Sequence, residues 1–207
     1  MHISEGVLDA RICIGGYAVA AGLTALALRK IRREDIPKIS VMGAFFFVSS
    51  LIHFKVGISS VHLTLVGLLG IVLGFPSVLA LLVGLFFQAV MFQHGGLSTL
   101  GVNTTVFAVG ALLVYGGFSL FVRKVGKRSI LISLVGGILS ALGVLVAALM
   151  VILIIRLSGE ELVEMSFVFS VSHSVLAVVE GVITFFLVQQ ILRIKPEILG
   201  QLHQGIT

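Results

Sequence analysis

SILISLVGGILSALGVLVAALMVILII, residues 129–155, carries no charged side chain from end to end. At a rise of about 1.5 Å per residue it makes a helix of about 40 Å, whereas the hydrocarbon layer of a bilayer is about 30 Å thick. A helix on the surface of a soluble domain shows one polar face; this one is apolar all round. It therefore reads as a membrane span, and the same pattern recurs along the chain. Apolar runs at 11–29, 38–54, 61–75, 76–92, 104–122 and 166–192 are separated by short polar breaks. The third and fourth runs meet at Gly74-Phe75-Pro76, a combination that stops a helix. The pattern predicts an all-α integral membrane protein of about seven transmembrane helices.

Composition agrees. Hydrophobic residues make up 58% of the 207 positions and charged residues 11%, against roughly 25% charged in an ordinary soluble domain; mean hydropathy is +1.20. One transmembrane domain over 1–207 is expected, with a polar strand at 1–10, a helical bundle at 11–195 and a short tail at 196–207. The single cysteine, Cys13, excludes an internal disulfide and any multi-cysteine metal site. The net charge of +5 reports topology and not nucleic-acid binding. Arg29, Lys30, Arg32, Arg33 and Lys38 fall between the first two spans; Arg123, Lys124, Lys127 and Arg128 fall between the fifth and sixth; Arg193 and Lys195 follow the seventh. With an odd number of spans all three clusters share one side, which the positive-inside rule makes cytoplasmic. The N-terminus is then outside and the C-terminus cytoplasmic.

This orientation gathers histidines. His2, His53, His62, His94 and His173 fall at or near the outer face, and only His203 is cytoplasmic. The chain opens MHISEG, without the basic region of a secretory leader. Because His2 is too large for methionine removal, Met1 is expected to remain with a free amine. An amine, the next amide nitrogen and Nδ1 of the second residue's imidazole close a five- and a six-membered chelate ring in one plane. Square-planar nitrogen donors suit Ni(II) or Cu(II), whereas Zn(II) prefers a tetrahedron. A histidine at position two leaves one corner open, so a second imidazole must close it. His53, His62 and His94 are all candidates, and spacing alone does not rank them. His173 and Glu180, seven apart, share a helix face; a carboxyl inside an apolar span points to a functional site with a partner.

Four blocks of sequence carry a family resemblance. MHISEG resembles the MHIxEG opening of the CbiM/NikM family, the substrate-binding (S) components of cobalt/nickel energy-coupling factor transporters. GGLSTLGVN (95–103) resembles that family's GGxTALGxN loop, HSVLAVVEG (173–181) its HxPLAxxEG helix, and SSVH (59–62) its Ser-x-x-His element. The resemblance implies Met1, His2 and His62 as metal ligands, with Ser60, His94, Asn103, His173 and Glu180 bracing them. It implies Ni(II) or Co(II) as bound substrate, no organic cofactor, and high-affinity uptake at a prokaryotic plasma membrane, of the kind that feeds cobalamin biosynthesis. It also implies a membrane coupling subunit and cytoplasmic ATPases as partners, with a small accessory membrane subunit as a further candidate, and no nucleic acid. Departures are visible: His62 is followed by Leu63-Thr64-Leu65-Val66-Gly67 where cobalt members often have Pro-Thr-Gly-Thr-Gly, which favours nickel, and His94 stands where the loop often has an acidic residue.

The chain has no Gly-x-x-x-x-Gly-Lys-Ser/Thr loop, so it is expected to be a transporter component without its own ATPase and not an enzyme. Small residues four apart in the first span, Gly16/Ala20, Ala18/Gly22 and Ala21/Ala25, suit either a partner helix or internal packing. The rival readings are a stand-alone proton-coupled metal carrier and a heme-binding membrane subunit.

Overall fold

A computed structural model describes residues 2–56, 59–125, 129–158 and 163–199. After an extended segment at 2–9, α1 runs Ala10–Leu28, α2 Ile36–Ser49, α3 Val66–Leu73, α4 Ser77–Phe92, α5 Leu100–Val125, α6 Ser129–Leu157 and α7 Val163–Ile194. Two short strands, β1 (His53–Val56) and β2 (Ser59–His62), pair antiparallel between α2 and α3, with His53 opposite His62. Among the described residues four helices are long and apolar enough to cross a membrane: α1, α5, α6 and α7. The chain is a predominantly helical membrane protein.

Its outer surface shows why. Ile130, Leu134, Ile138, Leu142, Leu145, Leu149 and Leu153 form an exposed stripe along α6, and Val171, Val175, Val178, Val182 and Phe186 do the same on α7. Patches of that extent would make a soluble monomer associate; here they form the face that meets lipid. The opposite faces pack closely through small residues. A Cβ on Gly137 of α6 would sit 2.6 Å from the Gly181 carbonyl oxygen of α7, and one on Gly181 would sit 2.9 Å from the Gly137 oxygen. Thr184 donates to Ser140 across the same seam at 3.0 Å.

Two expected boundaries are corrected. The second span was expected to reach residue 54, but α2 ends at Ser49, and the third was expected to begin at 61, where β2 still runs. The segment His53-Phe54-Lys55-Val56 alternates polar and apolar residues, the two-residue period of a strand. A hydropathy window averages over that alternation. The third helix is therefore only 8 residues long, about 12 Å. It survives because protein and not lipid surrounds it: Val66 through Val72 are all buried. Gly67 lies against Ser140, where an added Cβ would come 2.5 Å from Ser140 Cα, and Gly70 lies against the Ala111 backbone of α5. Non-standard backbone at membrane depth is tolerated where it is enclosed in this way.

The small residues of α1 divide. Gly16 packs inward on Val102 of α5, where an added Cβ would meet the Val102 nitrogen at 2.8 Å, and Ala20 is buried. Ala18, Ala21, Gly22 and Ala25 face outward.

The chain thus has two poles. At one, Lys30, Arg32, Asp35 and Lys38 line a polar cavity of about 410 Å³ beside Gly74-Phe75-Pro76, and Lys38 donates to the Ile198 carbonyl at 2.6 Å. At the other, the extended N-terminal segment, the β1–β2 hairpin and the loop 93–99 meet.

Candidate metal centre

The extended segment is held in place by the start of α5. The Asn103 side chain accepts from the Ile3 N–H at 2.9 Å and donates to the Ile3 carbonyl at 3.0 Å, so one amide replaces a strand partner. Thr99 Oγ1 donates to the same carbonyl at 2.8 Å. Glu5 accepts from the Ser98 N–H at 3.2 Å. Ile3 is buried and Asp9 caps α1 by accepting from the Arg11 N–H at 2.7 Å. The two loop glycines permit this approach. Gly95 has φ +84, a conformation that favours glycine, and Gly96 lies so close to Glu5 that a Cβ would come 2.9 Å from Glu5 Cα.

Pinning Ile3 fixes His2. Its Nδ1 lies 3.0 Å from Nε2 of His62, and the two rings stack with centres 4.8 Å apart. Phe107 of α5, itself fully buried, lies under the His2 ring at 5.3 Å and floors the site. His94 stacks parallel to His62 at 5.6 Å, and His53 stands edge-on to both, 5.6 Å from His62 and 5.1 Å from His94. Four histidines from four separate segments of chain thus share one pole. Spacing left His53, His62 and His94 unranked; the fold puts His62 against His2.

Burial keeps these rings neutral. It pushes His62 down to about 2, with repulsion from the His94 and His53 rings adding to the effect. Burial likewise lowers His2 well below the ordinary imidazole value, and lowers His94. Neutral imidazole is the form that binds a metal ion. Among the described residues, His62 Nδ1 and His94 Nδ1 are buried without a hydrogen-bond partner, and His2 Nε2 and the Gln88 amide, buried side by side, make no hydrogen bond of ordinary geometry. Gln88 lies beside His2. Sequence reasoning missed it; its signal was a single amide in the apolar run LFFQAV. Among the described residues, no three His, Cys, Asp or Glu side chains converge as a ready ligand set.

The remaining expected residues separate. Glu180, fully buried on α7, accepts from the Thr64 N–H and from Thr64 Oγ1 at 2.8 Å, and so holds the chain two residues beyond His62. His173 is buried on the same helix, with its Nδ1 bonded to the Phe169 carbonyl at 2.8 Å and its ring stacked on Phe169. It makes no ring contact with the four-histidine cluster. Met1 and His203 lie outside the described residues, as does the side chain of Ser60.

Comparison with known proteins gives a consistent result. A family model described as the cobalt uptake substrate-specific transmembrane region, CbiM, matches residues 2–198. A Haemophilus influenzae protein, provisionally named a metal transport protein, is 30% identical over 203 residues, covering 97% of this chain and 98% of its own. The cobalt transport protein CbiM of Kyrpidia tusciae is 30% identical over 97% of this chain and 87% of its own length. The crystal structure of a truncated transition metal transporter superposes with a TM-score of 0.81 at 24% identity, covering 93% of this chain and 99% of that one. With a family model spanning nearly every residue and relatives matched along almost their whole length, this chain belongs to the CbiM family of cobalt-uptake substrate-specific transmembrane proteins.

Proposed function

We propose that this protein is the substrate-binding component of a transition-metal importer, and that it holds Ni(II) or Co(II) between His2 and His62. The observation that carries this reading is the 3.0 Å separation of His2 Nδ1 and His62 Nε2. Two nitrogens each about 2.0 Å from one ion at a right angle lie about 2.8 Å apart. A metal ion therefore fits between these atoms with almost no movement of either ring. The backbone nitrogen of His2 and a free amine on Met1 supply the other two corners of the plane. A flat set of four nitrogens favours Ni(II) over metals that prefer a tetrahedron or an oxygen shell.

In this reading all seven helices cross the membrane, with α3 completing its crossing inside the protein. The histidine pole faces outward and the basic pole faces the cytoplasm of a prokaryotic cell. Glu180 and Asn103 brace the two ligand-bearing segments. ATP hydrolysis is supplied by separate cytoplasmic subunits through a membrane coupling subunit, and the outward small-residue face of α1 is where a partner helix can approach closely. The same chain working alone as a proton-coupled carrier would move metal into vesicles without those subunits.

The test compares metal binding by protein with a free N-terminus and by protein extended by one residue before Met1. The extended form should lose tight Ni(II) binding and the absorption of a planar Ni(II) complex. His62→Ala should lose it as well. Equal binding by the free and extended forms would overturn the assignment.

A further inference from the structure

Two of the four clustered imidazoles, His53 and His94, are not needed by the planar site. They come from different elements, β1 and the loop after α4, yet their ring centres lie 5.1 Å apart with planes at 68°. Two imidazoles on one ion, each bound at about 2.0 Å, have ring centres about 4.5 Å apart at a right angle and about 5.2 Å apart at a tetrahedral angle. The pair has the spacing of the latter.

Three further features suit this pair to an ion. The His53 ring nitrogen Nδ1 lies 2.9 Å from the Leu51 carbonyl. A carbonyl only accepts, so the proton is on Nδ1 and the lone pair is on Nε2. Donation of the second ring N–H to a backbone carbonyl is the usual way a metal-binding histidine is oriented. His94 is held by a backbone bond from its own N–H to the Gln88 carbonyl at 3.2 Å, between Gln93 at φ 55 and Gly95 at φ 84. Its Nδ1 is buried with no hydrogen-bond partner among the described residues. Exposure is graded: His53 is exposed, His94 half-buried and His62 buried. His62 is 5.6 Å from each of the outer rings and 4.8 Å from His2.

We propose that His53 and His94 form a loose outer station for the same divalent transition metal, from which the ion passes to His62. The proposal rests on the inner site described under Proposed function and adds a path to it. A hydrated ion loses water most readily one ligand at a time. The exposed His53 replaces the first water and His94 the second, while waters complete the shell. His62, adjacent to both, then takes the ion inward to His2. A station made of two imidazoles and water holds weakly, as a relay must. Among the described residues no set of three such side chains converges on one point, so the station holds by two imidazoles while His62 waits 5.6 Å from each.

The test measures Ni(II) loading and release by stopped flow on the detergent-solubilised full chain, alongside equilibrium affinity. In His53→Ala/His94→Ala, loading and release should slow together by about tenfold, with Kd changed less than about twofold. A relay alters the path and not the end state. In a His62→Ala background one weak Ni(II) should still bind, and adding His53→Ala/His94→Ala should remove it. His53→Ala alone, at an exposed position where folding is secure, should show a smaller slowing of the same kind. Unchanged rates in the double variant would overturn the proposal. So would a Kd that rises in step with a slower loading rate, because the two residues would then be ligands or supports of the inner site. Tight binding that survives His62→Ala would instead overturn the inner site, and the rate comparison would still report on the outer pair.

Discussion

Gln88 shows what a single residue can reveal. The Gln88 amide is fully buried, makes no hydrogen bond of ordinary geometry among the described residues and has the His2 ring as a polar neighbour; a group satisfied so poorly costs stability, typically about 1–3 kcal/mol. A helix as apolar as α4 has no structural need for it. Such a cost persists where function requires the group, and Gln88 lies beside His2. Gln88→Leu, close in volume, should therefore leave the protein as stable or more stable in thermal unfolding while weakening Ni(II) binding by roughly tenfold or more. If stability and binding fall together, Gln88 is only a packing residue. The sequence pointed to His2 because a histidine beside the first amine is chemically unusual at any position in a fold, and to His62 only through the resemblance of SSVH to a family element. It could not point to Gln88, because a lone amide in an apolar run carries no spacing relation to a partner. Asn103 lay between these cases: the loop motif marked it, but only the fold shows that it replaces a strand partner for Ile3.

Among the elements, the long uniform ones were legible and the short mixed ones were not. The run at 129–155 could form only one thing, and α6 spans Ser129–Leu157. The β1–β2 hairpin was missed because the spans at 38–54 and 61–75 were drawn into its two ends on hydropathy, although Phe54 and Val56 alternate with His53 and Lys55 at a strand period. That error matters to the site, because it is the strand register that puts His53 opposite His62. The loop 93–99 is the element whose chemistry is easiest to break. Its glycines are needed for the approach of another segment, and a Cβ on Gly96 would come 2.9 Å from Glu5 Cα, which is backbone-linked and cannot simply rotate away. Gly96→Ala should lift the extended segment off α5, so that protease accessibility near residue 5 rises and Ni(II) binding falls by roughly tenfold or more, with the helical content unchanged. Gly22→Ala, where nothing lies within 4 Å, serves as the control and should bind as the wild type does. Undiminished binding by Gly96→Ala would mean that docking of the segment does not set the site.

Protonation belongs to the whole molecule, because it links folding to capture of the ion. His2, His62 and His94 are held neutral by the fold, His62 down to about 2, whereas an unfolded imidazole titrates near 6.5. Below about 6.5 the unfolded chain therefore binds more protons than the folded one, and stability rises with pH wherever that holds. Stability of the metal-free protein should be complete above about 6.5 and should decline as pH falls through that value. Binding follows a different titration. Imidazoles that are already neutral have no proton to lose, so on the proposed site the displaced protons come from the Met1 amine and the His2 amide. The amine has a reference value near 8. Ni(II) binding should then release about two protons at pH 7 and about one near pH 9, and affinity should climb most steeply between pH 6 and about 8. Calorimetry in two buffers of different ionisation heat counts those protons directly. His94→Gln should leave the count unchanged, because His94 is outside the planar set. A count that climbs to three or four as pH approaches 6 would mean that the histidine pole is charged before the ion arrives, and burial would then not be what readies it.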